Sequence, residues 1–315
     1  MKKKIIMDCD PGIDDALAII MALASEKLEV MAVTTVAGNQ TQEKILKNAK
    51  NILKLCERED ITIAAGNDRP LLQELFIADE IHGESGLGGV FLEESNMEIS
   101  ELKAWDLMAK LVRENEGEIT LVGTGPLTNI ALFIRTYPEL LDKIKGICIM
   151  GGACFGGNVT PHAEFNIYVD PEAAAVVFGS GIKVVMCGLD VTLKAQLCRE
   201  EIEKISEIGN KTGKVVAELM DYYIDAINRF FQADKEYIEG AHLHDPCTIA
   251  YLEDESIFTS KDCNVEIELN GKFTRGSTVV DYSHITGKPL NATVVFDLNR
   301  EKLINLLMDS VRKHK

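Results

Sequence analysis

The sequence predicts an α/β fold: a single domain on an open, mostly parallel sheet with a Rossmann-like core and helices on both faces. Three observations carry this. Strand-like and helix-like segments alternate along the chain, the rhythm that builds parallel βαβ units. The strand-like runs are apolar almost throughout, as expected where both faces of a sheet are covered. The 315 residues contain no internal repeat, no low-complexity tract and no Pro/Ser-rich linker, so residues 1–315 read as one large domain.

The elements follow in order. Residues 4–7 are a short apolar strand, and 13–24 have helical spacing with Ala16, Leu17, Ile20 and Leu23 on one face. Residues 30–36 are β-branched and strand-like. Residues 41–55 form a helix with Ile45, Ala49, Ile52 and Leu53 inward, and 61–64 are a strand. Residues 66–100 read as loop. Helices at 102–113, 127–135 and 171–178 alternate with strands at 119–122, 147–150 and 183–186. Helical patterns at 200–208, 215–231 and 245–252 follow, and the helical stretch around 200–245 is expected to be lid-like. Strands at 265–269, 277–281 and 293–296 and a helix from Arg300 complete the chain.

Charge and composition narrow the function. With 33 Lys and Arg against 50 Asp and Glu, the net charge is −17. Such a field repels phosphate backbones and anionic lipid, which argues against nucleic acid and membranes as partners. No apolar run approaches the ~18–20 residues of a membrane span. The N-terminal apolar run stops at Asp8, too short for a secretory signal, so a cytoplasmic protein is expected. The eight cysteines contain no Cys-x-x-Cys pair and read as reduced core residues rather than zinc ligands.

Asp8-Cys9-Asp10-Pro11-Gly12-Ile13-Asp14-Asp15 places four carboxylates between a strand and a helix. Ligands of open parallel sheets bind beyond the carboxyl ends of the strands. One acid there could simply complement a helix dipole. Four repel one another unless a cation is present, and oxygen-only ligands suit Ca²⁺ or Mg²⁺. His244-Asp245-Pro246 opens a later helix, where Asp245 is either a helix cap or a ligand. Met150-Gly151-Gly152, Asn158 and Ala163-Glu164-Phe165-Asn166 follow another strand, with Glu and Asn suited to hydroxyls. Gly123-Thr124-Gly125-Pro126-Leu127-Thr128-Asn129 and Val36-Ala37-Gly38-Asn39 sit at further strand ends, and each is equally consistent with a tight turn. The segment from Gly123 to Asn129 lacks the spacing and the lysine of a nucleotide phosphate loop. Together these segments gather polar residues at five strand ends.

With these segments in place, the sequence resembles the inosine-uridine-preferring nucleoside hydrolases. The run from Asp8 to Asp15 matches the family signature D-x-D-P-G-x-D-D, and the A-G-N, I-H-G, T-G-P-L-T-N, M-G-G, A-E-F-N and H-D-P segments occur in family order. The resemblance implies hydrolysis of the N-glycosidic bond of ribonucleosides with tightly held Ca²⁺, in a homodimer or homotetramer serving purine and pyrimidine salvage. It implies Ca²⁺ ligation by Asp10, Asp15, Asp245 and the Thr124 carbonyl, supported by Asp8. Asp14, Asn39, Glu164 and Asn166 would hold the ribose, with Asn158, Met150 and Phe165 also in contact. His82 and His244 would flank the departing base. The stretch from 228 to 243 departs from the family pattern. Its Phe230, Phe231 and Tyr237 could stack on a base or pack a lid.

The expected chemistry has Asp10 as general base toward water and His244 as proton donor to the base, with inversion at the anomeric carbon. Pyrimidine ribonucleosides such as uridine are the expected substrates, with inosine as a further candidate. Two rival readings are a haloacid-dehalogenase-like phosphohydrolase, which also carries Asp-x-Asp after its first strand, and a non-catalytic calcium-dependent nucleoside-binding protein.

Overall fold

The computed structural model describes residues 2–230 and 240–315. Phe231 and Tyr237 lie outside the described residues. Strand β1 (Lys3–Cys9) leads into α1 (Ile13–Ala24), β2 (Leu28–Thr35), α2 (Gln42–Leu55) and β3 (Thr62–Ala65). A four-residue helix, α3 (Asp79–His82), interrupts the long segment that the sequence presents as loop. Then come α4 (Ala104–Glu114), β4 (Ile119–Gly123), α5 (Thr128–Thr136), β5 (Gly146–Met150), α6 (Phe165–Val169), α7 (Pro171–Phe178) and β6 (Val184–Cys187). The final third holds α8 (Leu189–Thr192), β7 (Gln196–Cys198), α9 (Arg199–Ser206), α10 (Lys211–Phe230), β8 (Gly240–His242) and α11 (Pro246–Glu253). It closes with β9 (Phe258–Cys263), β10 (Val265–Ile267), β11 (Thr278–Val280), β12 (Ala292–Leu298) and α12 (Arg300–Lys313).

Among the described residues the main sheet has eight strands in the order β3-β2-β1-β4-β5-β6-β12-β9. All neighbours are parallel except β9, which pairs antiparallel with β12 at the edge. Two features of the sheets go beyond the sequence pattern. The strand-like segments near 265 and 280 do not join the main sheet; they form a separate antiparallel ribbon, β10–β11. The edge strand β9 was not anticipated, because Phe-Thr-Ser-Lys-Asp-Cys is mostly polar and exposed and carries no apolar pattern. A second small ribbon pairs β7 with β8.

The strand side chains alternate between two cores, as period two requires. Ile5, Met7 and Cys9 pack on one face among residues of α1, α2, α10, α11 and α12. Ile6 packs on the other, with Leu107, Ile130 and Val177 of α4, α5 and α7. Burial on both faces explains the continuous apolar strands. All eight cysteines are free thiols, and six are buried. Among the described residues no helix is long and apolar enough to cross a membrane.

This order fixes where a ligand can sit. The chain leaves β1 to one side for β2 and returns on its other side as β4. The helices that follow β1 and β4 therefore diverge, opening a crevice beyond their carboxyl ends. The acidic run follows β1, and Thr124-Gly125 follows β4, so the topology brings both to one place.

Candidate active site

Asp8 ends β1 and turns into the sheet. Its Oδ1 accepts from Thr34 Oγ1 at 2.6 Å and Asn129 Nδ2 at 2.8 Å. Burial is the main influence on it and lifts its pKa to about 7 against those hydrogen bonds. Two residues on, Asp10 accepts from the Asn39 backbone N–H at 2.7 Å through Oδ2. Its Oδ1 is buried without a hydrogen-bond partner among the described residues. Asp15, in the first turn of α1, accepts from Thr124 Oγ1 at 2.8 Å, from Gly12 N at 3.1 Å and from Asn39 Nδ2 at 3.1 Å.

Carboxylate oxygens of Asp14, Asp15 and Asp245 lie within 4.8 Å of one another, all three residues buried. Asp245 sits at the cap position of α11 yet makes no capping hydrogen bond. Its side chain is spent on the acidic cluster instead. Burial, then repulsion among the acids, pushes Asp10, Asp14 and Asp245 upward, Asp14 to about 7. The cavity lining contains no Lys or Arg among the described residues. A divalent cation is the group that would relieve both burial and repulsion, and the unpartnered Asp10 Oδ1 is a donor aimed at nothing else. The residues present therefore fit a hard metal ion with oxygen ligands. Asp14 joins this cluster geometrically, although the sequence placed it with the sugar.

Backbone approaches the Asp10 carboxylate closely on two sides. A methyl group on Gly125 would stand 2.5 Å from Asp10 Oδ1, and one on Gly38 would collide with Oδ2. Gly12 has the same property toward His82 and Asn39. These glycines serve close approach of neighbouring segments.

Beside the acids lies a group of oxygen acceptors. Glu164 caps α6 and accepts from Asn166 N at 3.0 Å, Gly152 N at 2.9 Å and Ile167 N at 3.2 Å. Burial outweighs these bonds and raises it to about 7. Asn166 Nδ2 donates to the carbonyls of Thr124 at 2.8 Å and Met150 at 3.1 Å. Its Oδ1 is left as the acceptor. The Thr124 carbonyl keeps a second lone pair. Asn158 Oδ1 holds the Phe165 N–H at 2.9 Å, which ties those two residues together at the rim.

Across the cavity, of about 490 Å³, the lining is aromatic and imidazole-rich. His82, at the end of α3, accepts from the Ile13 N–H at 3.2 Å through Nδ1, so its ring proton is on Nε2. Tyr223 of α10 stacks against it, with ring centroids 6.1 Å apart. His244 Nδ1 meets Thr192 Oγ1 of α8 at 2.8 Å, and its ring lies 5.3 Å from that of His242. Burial lowers all three histidines, His82 and His242 to about 4, so they are neutral at pH 7. Phe230 lines the same wall.

The sequence-derived residues thus converge from segments up to 237 positions apart. Asp14, Asn39, His82, Thr124, Met150, Asn158, Glu164, Phe165, Asn166, His244 and Asp245 all line one cavity, with Asp8, Asp10 and Asp15 packed beneath. Three further lining or supporting groups were not anticipated. Tyr223 belongs to an ordinary amphipathic pattern and carries no local signal. Thr192 is an unremarkable buried threonine in sequence. His242 did carry a signal, its position two residues before His244 in an extended segment.

The site is thus an acidic pocket at a switch point of an α/β sheet, with no Lys or Arg among its described lining residues and neutral imidazoles on the facing wall. The comparisons narrow the class. Residues 5–305 match the family described as inosine-uridine preferring nucleoside hydrolase, and the chain belongs to that family. It is 51% identical over 311 residues to the pyrimidine-specific ribonucleoside hydrolase RihA of Shewanella sp. (strain MR-7), covering 99% of this chain and 96% of that protein. It is also 51% identical to RihA of Escherichia coli (strain K12), covering 99% of both chains. The solved structure of a purine-preferring ribonucleoside hydrolase from Gardnerella vaginalis superposes with a TM-score of 0.92 at 32% identity, over 98% of both chains. The protein is accordingly an enzyme, an N-glycosidase that hydrolyses ribonucleosides to base and ribose. The phosphohydrolase and non-catalytic readings are set aside by this family membership.

Proposed function

We propose that the protein is a calcium-dependent hydrolase of pyrimidine ribonucleosides, uridine foremost, acting in the cytoplasm in nucleoside salvage as a homotetramer or homodimer. The observation that carries the chemistry is the buried convergence of Asp14, Asp15 and Asp245 beside the unpartnered Asp10 Oδ1. Asp10, Asp15, Asp245 and the Thr124 carbonyl are the ligands we assign, with Asp8 holding the end of β1 in place through Thr34 and Asn129. When bound, Ca²⁺ would supply positive charge to balance these acids, coordination positions for the oxygens of a vicinal diol and acidification of the attacking water.

The chain's own residues do the rest. Asp14, Asn39, Glu164 and Asn166 present oxygen acceptors, which suit the hydroxyl donors of ribose. Asn158, Met150 and Phe165 line the same cavity. Asp10 takes the proton of the attacking water, and the carboxylates stabilise positive charge that develops on the sugar. His244, whose ring is neutral at pH 7, gives a hydrogen bond rather than a full proton to the departing base, with His82 beside it, and the helical stretch around 200–245 acts as the lid. The described residues of the cavity wall include no Lys or Arg to receive a 5′-phosphate, which favours nucleosides over nucleotides as substrates.

The pyrimidine preference is supported by the names of the two 51%-identical relatives. The test is a set of initial rates on uridine, cytidine, inosine, adenosine and 2′-deoxyuridine, with free base and free sugar both measured. Uridine and cytidine should be fastest. Deoxyuridine should be slower by ~10⁴, because sites built for a hydroxyl reject analogues that lack it. Inosine outrunning uridine overturns the base preference; deoxyuridine matching uridine overturns the assignment of the diol.

A further inference from the structure

We propose that His242 is a base-recognising residue whose Nδ1–H donates to a carbonyl oxygen of the leaving pyrimidine, and that Gln196 sets the tautomer that makes this possible. The proposal deepens the pyrimidine-nucleoside reading and rests on it.

The strand register makes the pair. In the β7–β8 ribbon Gln196 stands directly opposite His242, and opposed residues of an antiparallel pair share a face. The Gln196 side-chain nitrogen donates to the Leu193 carbonyl at 3.1 Å, which identifies it as the amide's NH₂ end. The same nitrogen lies 3.2 Å from His242 Nε2. An amide NH₂ can only donate, so His242 Nε2 is the acceptor. In a neutral ring the single proton then resides on Nδ1. Burial lowers the His242 pKa to about 4, so the ring is neutral at pH 7.

Nothing among the described residues receives that Nδ1–H, and the ring is part of the cavity wall. It packs against His244 at 5.3 Å, placing it at the end of the cavity where the base departs. His82 arrives at the same condition by another route, with the Ile13 N–H on Nδ1 and its proton on Nε2. Two neutral N–H donors are thus fixed in orientation before any substrate arrives. As the glycosidic bond breaks, its electron pair stays with the base and spreads onto the carbonyl oxygens. A donor held in place there stabilises the transition state more than the ground state.

The experiment compares two substrates and two substitutions. p-Nitrophenyl β-ribofuranoside shares the sugar and the metal site with uridine, but its leaving group departs as a stable anion without help. In His242→Leu, kcat/KM on uridine should fall by ~10², the usual cost of one such donor, while the nitrophenyl riboside changes by less than ~3-fold. His242→Asn places an amide N–H where Nδ1–H was and should recover most of the uridine activity. Gln196→Leu, which frees the tautomer, should fall between wild type and His242→Leu on uridine alone. An unchanged uridine-to-nitrophenyl ratio in His242→Leu, including equal loss on both, overturns the proposal, as does Asn performing no better than Leu. If wild type releases no uracil from uridine, the substrate reading itself has failed; if it does and the ratio does not move, only the assignment of His242 has.

Discussion

The two ends of the cavity are built in different ways. The acidic end is made mostly from segments that leave the main sheet, the turns after β1, β2, β4 and β5, with Asp245 added from the start of α11. Its side chains are tied by hydrogen bonds, with Asn39 reaching both Asp10 and Asp15. The base end is assembled outside the main sheet from α3, α8, α10 and the β7–β8 ribbon. Its rings pack on one another, while each histidine holds a single hydrogen bond among the described residues, to Ile13, Thr192 or Gln196. The chemistry of a glycosidic bond is the same for every nucleoside, and the sheet holds those groups rigidly. The base varies, and the elements that meet it lie outside the strands of the main sheet. A purine-preferring relative sharing this fold at a TM-score of 0.92 is consistent with that division.

The largest effects are expected at the acidic end. Asp15→Ala removes a carboxylate that meets Asp14 and Asp245 and anchors Gly12, Asn39 and Thr124. We expect loss of both bound calcium and turnover, read by elemental analysis and base release on the same sample. Retained turnover in a chain shown to be free of metal would falsify the calcium assignment. Asp10→Asn comes next. It preserves shape and most coordination but cannot accept a proton, so kcat should fall by ~10²–10⁴ with KM little changed.

Gly125→Ala tests the geometry of the same end without removing any charged group. The added methyl would stand 2.5 Å from Asp10 Oδ1 and must displace that carboxylate. Displacement of about 1 Å at a reacting group costs about 10² in rate. Wild-type kcat in this variant would show that Asp10 has freedom the packing denies it.

The smallest effect sharpens the comparison, because the two ends should respond to pH with opposite sign. Glu164 is raised from 4.5 to about 7, chiefly by burial. Its contribution to stability is present below about pH 4.5 and lost as pH rises through about 7. His82 is lowered from 6.5 to about 4 by burial. The unfolded chain takes a proton that the folded ring refuses, so stability is full above about pH 6.5 and lost as pH falls toward about 4. Relative to wild type, Glu164→Gln should therefore gain as pH rises, and His82→Gln should gain as it falls. Each change is bounded at about 3 kcal/mol. Urea unfolding between about pH 5 and about pH 8, at fixed free calcium, measures both. Parallel slopes for the two variants would contradict the burial assigned to these groups.

The acidic end was far more legible in sequence than the base end. Asp8 to Asp15 announces itself because four acids in eight residues have no comfortable arrangement without a cation. Glu164 and Asn166, Asn39, and Thr124 are each marked by glycines or a strand end nearby. Tyr223 carries no such mark; its spacing on α10 is that of a core residue, and only the packing of α10 over α3 turns it toward His82. His242 was visible as a residue, but its tautomer depends on Gln196, 46 positions away.

By itself the sequence determined the alternation of strands and helices, their burial on two faces and the residue types at the strand ends. These are periodic or local properties, recorded in each element's own side chains. The tertiary structure decided what no local pattern records. It set the strand order that opens a crevice between β1 and β4, and the close backbone approach of Gly38 and Gly125 to Asp10. It also placed the polar strand β9 at the sheet edge and brought Thr192 and Gln196 beneath the two histidines. Those outcomes depend on distances between elements, which are fixed by how the two cores pack and by hydrogen bonds between residues far apart in the chain. A periodicity reports only which face of its own element a residue occupies.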